Sequence, residues 1–372
     1  MFTVILFLIV LSVLIFVHEL GHFVTAKLFG MRVDEFALGF PPRIFAWKKG
    51  ETEYALNALP IGGYVRIHGE NPSEESLTGS DSNRSFTSKP RWMQAIVLLA
   101  GVTFNILFAW ISISLGFMVG FPVSTDYIEG ARYDDVKVVI SIVDPDSPAS
   151  RAGLLPGDEI VELSKRSVSG DVGGLEVVAP SDVQTVQNFI KDSSSDGLTM
   201  RVMRGSTATT TTVIPVVSSA TTTPMIGIGL GTVGLLKLPI YKAFIEGANL
   251  TANMTVAITG GLYHFFTGIF TEDDIMSQVS GPVGIAKLVS TAGQMGFAYL
   301  VSFTALISIN LAVINILPFP ALDGGRLLFV IIESITRRRI SPTFANAVNI
   351  GGFVILLGLM LFITVNDVIK LL

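Results

Sequence analysis

The chain of 372 residues is half hydrophobic and only 15% charged, with a mean hydropathy of +0.61. That balance is too apolar for an ordinary soluble domain and predicts an integral membrane protein. The net charge of −5 says little, because the placement of Lys and Arg carries the topology, and no nucleic-acid partner is expected. With no cysteine, disulfides are excluded and any metal must be held by nitrogen and oxygen.

Four runs are long and apolar enough to span a bilayer, which takes about 20 residues. They are Phe2 to Ala26, Trp92 to Phe121, part of Leu288 to Leu322, and Ile340 to Asn366. The first has no Lys or Arg over residues 1–17 and no small-residue cleavage site behind it, so it reads as a retained anchor. Inside it lies His18-Glu19-Leu20-Gly21-His22, the pattern H-E-x-x-H. On a helix, positions four apart share a face, so His18 and His22 can meet one metal ion. Glu19 beside them can take a proton from a water at the metal. Short patterns of this kind arise by chance in soluble chains. In a helix embedded in hydrocarbon, two imidazoles and a carboxylate are costly unless something coordinates them, so zinc binding is the expectation. The second run holds Asn105 and several Ser and Thr, polar groups that a helix can satisfy internally.

Residues 27–91, between the first two runs, contain nine Lys or Arg, and residues 326–339 contain four more. By the positive-inside rule both loops are cytoplasmic, both chain ends face outward, and the segment between the second and third spans is external. Residues 31–68 lack a helical period. Arg43 to Lys48 alternates, Lys49-Gly50 makes a turn, and Thr52 to Leu56 alternates again, which predicts a hairpin. A further short strand, Tyr64 to His68, follows Gly62-Gly63. Together they suggest a small sheet dipping into the interface and leaning on protein, since open edges are not tolerated against lipid. Residues 70–89, polar and rich in Ser, Glu and Asn, read as a loose connector.

Across residues 122–235 charges return and β-branched residues alternate in short runs. Ser147-Pro148-Ala149 through Gly157-Asp158-Glu159-Ile160 reads as turn, helix, turn and strand, and closely resembles the matching segment of PDZ domains. Thr207–Thr212 and Thr221–Thr223 fit exposed strands or a hairpin. A fifth uncharged run, Gly247 to Thr271, is read as a helix lying on the membrane surface. Were it to cross, Arg337, Arg338 and Arg339 would fall outside and the third span would end away from His22.

A catalytic zinc site takes three protein ligands and leaves a fourth position open. His68, at a strand end, and His264, on the surface helix, read as interfacial side chains. Asp323 follows Pro318 and Pro320, which break the helix, and precedes Gly324-Gly325, which permit tight turns. The topology brings Asp323 to the cytoplasmic end, as it does His22. The alternative is that Asp323 merely caps the helix running from Gly324.

With His18-Glu19-x-x-His22 in the first span, Asn315-x-x-Pro318-x-Pro320-x-Leu322-Asp323-Gly324 after the third, and one PDZ-like insert, the chain resembles the site-2 protease family, nearest to bacterial RseP-like intramembrane zinc metalloproteases. Gly62-Gly63-Tyr64 and Ser280 to Ala286 extend the likeness over nearly the whole chain. The resemblance implies Zn2+ held by His18, His22 and Asp323, with Glu19 as general base. It also implies that Asn310 and Asn315 lie near substrate and that Gly63, Tyr64 and Val65 belong to a strand that pairs with it. Some relatives carry two PDZ modules where this chain has room for one.

The expected fold is therefore a polytopic α-helical membrane protein with four transmembrane helices, a small membrane-associated β-hairpin region and an inserted extracytoplasmic PDZ (α+β) domain. Its parts are residues 1–121 with the first two spans, 122–235 as the PDZ-like domain, 236–292 as interfacial helix and connector, and 293–372 with the last two spans. The expected activity is hydrolysis of peptide bonds in or near transmembrane segments, as in regulated intramembrane proteolysis of anti-sigma factors or remnant signal peptides. Its partners would be single-span membrane proteins and membrane lipids. The expected place is the inner (plasma) membrane, with the active site near the cytoplasmic face. The competing reading is a non-proteolytic scaffold recruiting peptides through the PDZ-like domain, against which the intact Glu19 counts. A metal transporter would need polar residues spread through several spans.

Overall fold

A computed structural model describes residues 2–70, 79–166, 175–193, 197–217, 223–268 and 281–369. The chain forms two compact units. The first comprises Met1–Ser114, Phe244–Ser290 and Phe303–Leu372, and the second Leu115–Ala243 and Thr291–Ser302.

Helix α1, Phe2–Leu28, is an almost unbroken run of Leu, Ile, Val and Phe with no proline. It stops where Gly30 takes a left-handed φ of +67° and the amides of Gly30 and Met31 turn back to the carbonyls of Lys27 and Ala26. This is the paired closure of a Schellman motif, which glycine permits without strain. Strands β1, Val33–Lys49, and β2, Thr52–Ile67, follow, joined at Gly50-Glu51. Both bend. Residues 43–49 pair with 52–57, residues 33–38 pair with 63–67, and residues 35–38 are also matched with 53–56. The result is four segments side by side in the order 43–49, 52–57, 33–38, 63–67. The expected hairpin is present, and the expected separate short strand is the far end of β2. Among the described residues, 63–67 forms an outer edge.

The polar stretch expected to be a loose connector is partly packed. Residues 71–78 lie outside the described residues, but 79–89 make two 3-10 turns, Ser82–Arg84 and Phe86–Ser88, and Phe86 is buried with Ala26, Met31, Val33, Ile67 and Val97. Helix α2, Arg91–Val119, then runs past α1 at close range: a Cβ on Gly21 would lie 2.4 Å from the Ala100 carbonyl oxygen. Small residues permit such approach between apolar helices.

In the second unit β3 (Phe121–Ser124), β4 (Tyr133–Val143), β5 (Glu159–Arg166), β7 (Leu198–Arg204), β8 (Thr207–Val213) and β11 (Ile228–Leu236) form an antiparallel sheet in the order β3-β11-β4-β5-β7-β8. β6 (Leu175–Val178) pairs with β5, and β9 (Val216–Val217) and β10 (Pro224–Met225) pair with each other. The turn-helix-turn-strand expectation holds: Ser147 caps the short α3, Pro148–Arg151, and Gly157 turns the chain into β5. Asp182 caps α4, Val183–Lys191, whose Val186, Phe189 and Ile190 enter the core beside Ile140, Leu163 and Met200. The expected Thr-rich strand is β8; of the second Thr run, Thr221 and Thr222 lie outside the described residues.

The remaining helices are α5, Ile240–Gly268; α6, Pro282–Met295; α7, Phe297–Asn315; α8, Asp323–Thr336; and α9, Pro342–Ile369. Among the described residues four helices, α1, α2, α7 and α9, are long and apolar enough to cross a membrane, as the sequence predicts. The third run is shorter than Leu288 to Leu322 allowed, because Gly296, at φ +125°, breaks it and assigns Leu288–Met295 to α6. The fifth run is helical from Ile240, and it is not among the four; its residues 269–271 lie outside the described residues.

Candidate metal centre and active site

All the residues that follow belong to the first unit. The helical period of α1 stacks His18 and His22 one turn apart, both buried, with Nε2 atoms 3.2 Å from each other. Asp323 Oδ2 lies 2.9 Å from His18 Nε2 and 3.2 Å from His22 Nε2. The third member arrives because Pro318 and Pro320 end α7 and the chain turns back at Ala321, φ +73°. Gly324 and Gly325 allow the return, since a Cβ on either would stand 2.2 Å from a carbonyl oxygen, of Leu317 and of Phe319. Capping does not explain Asp323: Leu322 is the N-cap of α8 and no side chain bonds the cap.

His18, His22 and Asp323 are the one group among the described residues that could hold a metal ion, each offering a ligand atom within 4.8 Å of the others. The donor set fits zinc. Ligand atoms about 2.0–2.1 Å from a tetrahedral zinc stand about 3.3 Å apart, close to the spacing found here. His22 Nδ1 lies 2.8 Å from the Val97 carbonyl oxygen, to which its proton is donated, leaving Nε2 free as a ligand. A Cβ on Gly101 would fall 2.5 Å from His22 Nε2 and 2.7 Å from His18 Cε1, so this glycine clears the space the rings occupy.

Glu19, half-buried, does not join the cluster. It lies beside the edge segment of β2, where a Cβ on Gly63 would meet its Cγ at 3.4 Å. A cavity of about 530 Å3 opens over His18, Glu19, His22 and Asp323 and is walled by Tyr64, Val65, Arg66 and Ile67 on one side and by Asn349 and Phe353 on another. Arg326, one turn beyond Asp323, also lines it and donates to Glu70.

Of the expected site residues, His18, Glu19, His22, Asp323, Tyr64 and Val65 come together around this cavity, with Gly63 against Glu19. Asn315 sits in a narrow crevice with Asp323 and Gly324 outside the cavity wall. Asn310 donates Nδ2 to the Leu306 carbonyl of its own helix at 2.9 Å and is not in the wall. His68 is buried near Asp34 and His264 is exposed on α5, both away from the cluster. Asn105 is a correction. It is fully buried, and its side chain faces His18 Nδ1 at 3.2 Å instead of its own helix. Val97, Gly101 and Asn105, spaced four apart on α2, all address the two imidazoles. That spacing was visible in the sequence, but nothing local says which helix it faces.

Apolar spanning helices and a buried cluster of two imidazoles and a carboxylate define a multi-pass membrane protein with a candidate metal centre. Comparison with known proteins agrees. The model of Peptidase family M50 matches residues 6–359. A Clostridium perfringens protein whose name carries the words zinc metalloprotease is 34% identical over 362 residues, 97% of each chain. A Nostoc protein similarly named is 34% identical over 367 residues, covering 97% of this chain and 94% of its own. The zinc metalloprotease RasP of Oceanobacillus iheyensis is 28% identical over 450 residues, spanning both chains in full. The chain therefore belongs to peptidase family M50, the site-2 protease family of zinc metallopeptidases.

Proposed function

We propose that the chain is an intramembrane endopeptidase that cuts single-span membrane proteins in or near their transmembrane segments, as in regulated intramembrane proteolysis. The observation that carries this reading is the meeting of His18, His22 and Asp323, contributed by a spanning helix and the turn after another, beside the open edge of β2. His18, His22 and Asp323 are the metal ligands and Glu19 the general base. Zinc supplies Lewis acidity, which makes a water reactive near neutral pH and polarises the scissile carbonyl.

Glu19, poised beside the cluster and outside the ligand set, accepts the proton of the attacking water and passes it to the leaving amide nitrogen. A transmembrane helix has its backbone groups occupied, so the scissile segment must first unwind. Gly63, Tyr64 and Val65 offer it an edge on which to add as a strand, replacing the lost hydrogen bonds. Asn310 and Asn315 supply further polar contact on the α7 side once substrate is present. The Lys and Arg distribution supports a site near the cytoplasmic face of the inner membrane, with the residue 122–235 insert outside. The helix-capped antiparallel sheet of that insert supports the PDZ-like reading. With that orientation the insert acts by limiting which transmembrane helices enter.

The test is cleavage of a detergent-solubilised single-span substrate. Wild type should cut it in a zinc-dependent manner, and Glu19→Gln should keep zinc while losing about 100-fold or more in kcat. Near wild-type cleavage by Glu19→Gln would overturn the assignment.

A further inference from the structure

We propose that Asn105 is a positioning residue for His18, its Oδ1 accepting a hydrogen bond from His18 Nδ1–H and so presenting Nε2, unprotonated, to the metal. The inference rests on the ligand reading above and adds a residue to it. Asn105 is fully buried in the apolar α2, with its Nδ2 3.2 Å from His18 Nδ1 and its Oδ1 without a hydrogen-bond partner among the described residues. In this orientation of the amide two nitrogens face each other. That is a hydrogen bond only if His18 carries its proton on Nε2, the atom that lies 2.9 Å from Asp323 Oδ2 and 3.2 Å from His22 Nε2.

A proton on Nε2 would close the ligand position. For His18 to coordinate through Nε2, its Nδ1 must be the protonated nitrogen and must find an acceptor. The two ends of a carboxamide are nearly isosteric, and a half-turn of the Asn105 amide sets Oδ1 where Nδ2 now stands without displacing a neighbour. One end of the amide remains spare in either orientation, so the tautomer of His18 decides between them. A buried amide with one end unused costs free energy, which the contact of its other end must offset.

His22 obeys the same rule one turn along: its Nδ1 meets the Val97 carbonyl at 2.8 Å. Both imidazoles are thus oriented from α2, by a main-chain oxygen at 97 and a side-chain oxygen at 105, with Gly101 between them. The backbone at 105 is held separately, because Ser308 Oγ donates to the Asn105 carbonyl at 2.8 Å. A side-chain replacement leaves that tie between α2 and α7 in place.

The experiment measures zinc affinity of the full-length, detergent-solubilised protein by competition with a chromophoric chelator. Asn105→Leu, close in volume but without an acceptor, should bind zinc 10- to 100-fold more weakly. Asn105→Asp, which restores an acceptor, should return affinity to within about threefold of wild type. If Asn105→Leu fails to fold, Asn105→Ala, which cannot clash, takes its place. Wild-type affinity in the variant lacking an acceptor would overturn the proposal, as would equal loss in the Leu and Asp variants, which would mark a packing role. Nitrogen-15 spectra of the histidine-labelled zinc form add a readout independent of affinity: His18 should show a proton on Nδ1, and a proton on Nε2 would overturn the assignment. Loss of the metal in Asn105→Leu together with intact cleavage would instead count against the ligand set itself.

Discussion

Gly101 of α2 stands against His22 of α1 so closely that a single added carbon would lie 2.5 Å from His22 Nε2. The neighbouring pair, Gly21 and Ala100, is as tight, at 2.4 Å, but there the obstacle is backbone. Two glycines of one helix contact therefore do different jobs. Gly101→Ala should leave the protein folded while cutting zinc content and cleavage at least tenfold, because flexible ring positions yield first. Gly21→Ala should push α1 and α2 apart and destabilise by about 1–3 kcal/mol, the usual range for overpacking. Zinc content and thermal melting, measured on both variants, separate the two outcomes; equal zinc in Gly101→Ala and wild type would refute the first.

Removing Asp323 tests the ligand set directly. Purified wild type should hold about one zinc per chain, and Asp323→Ala should hold less than about a tenth of that, since two imidazoles alone make a weak site. Elemental analysis after dialysis decides the matter, and stoichiometric zinc in Asp323→Ala would rule out three-ligand coordination.

Glu51, at the turn between β1 and β2, should make stability depend on pH. Arg84 grips its carboxylate with two bonds of 2.7 Å, and Lys27 at the end of α1 adds a third at 2.6 Å. The Arg84 bonds, then that of Lys27, hold its pKa down from 4.5 to about 2. A depressed folded-state pKa means that the contribution is complete above pH 4.5 and is lost as pH falls through 2. Glu51→Gln should lower Tm near pH 7 by about 2–4 °C, the shift that about 1 kcal/mol produces. It should also flatten the fall in Tm between pH 4.5 and 2 relative to wild type. Melting curves across that range check both, and parallel curves for the two proteins would remove the Glu51 assignment.

The topology is open to labelling because the chain has no cysteine of its own. Single cysteines at Ser80 and Thr336, both exposed, should be protected from an impermeant thiol reagent in intact cells. One at Thr210, exposed on β8, should be labelled severalfold more. The reverse pattern would invert the proposed orientation.

What could be read locally was read from the sequence. An imidazole pair at i and i+4 falls on one face of any helix, so His18 and His22 needed no tertiary information. Apolar runs long enough for a bilayer declare themselves, as does a chain broken by Pro318 and Pro320 ahead of Asp323. The alternation around Gly50 announced a hairpin. The likeness to site-2 proteases then tied His18 and His22 to Asp323 across 305 and 301 positions.

The tertiary structure alone decided how α1 and α2 are registered, because an apolar helix surface carries no local signal of which neighbour it meets. That register turns Val97, Gly101 and Asn105 from an ordinary helical stripe into the wall behind the two imidazoles. It reassigned Asn105, which by sequence looked internally satisfied, to His18. The doubling of β1 and β2 into four adjacent segments was likewise invisible, since strand pairing depends on bends and register and not on alternation. It is this bend that puts the open edge of β2 beside Glu19.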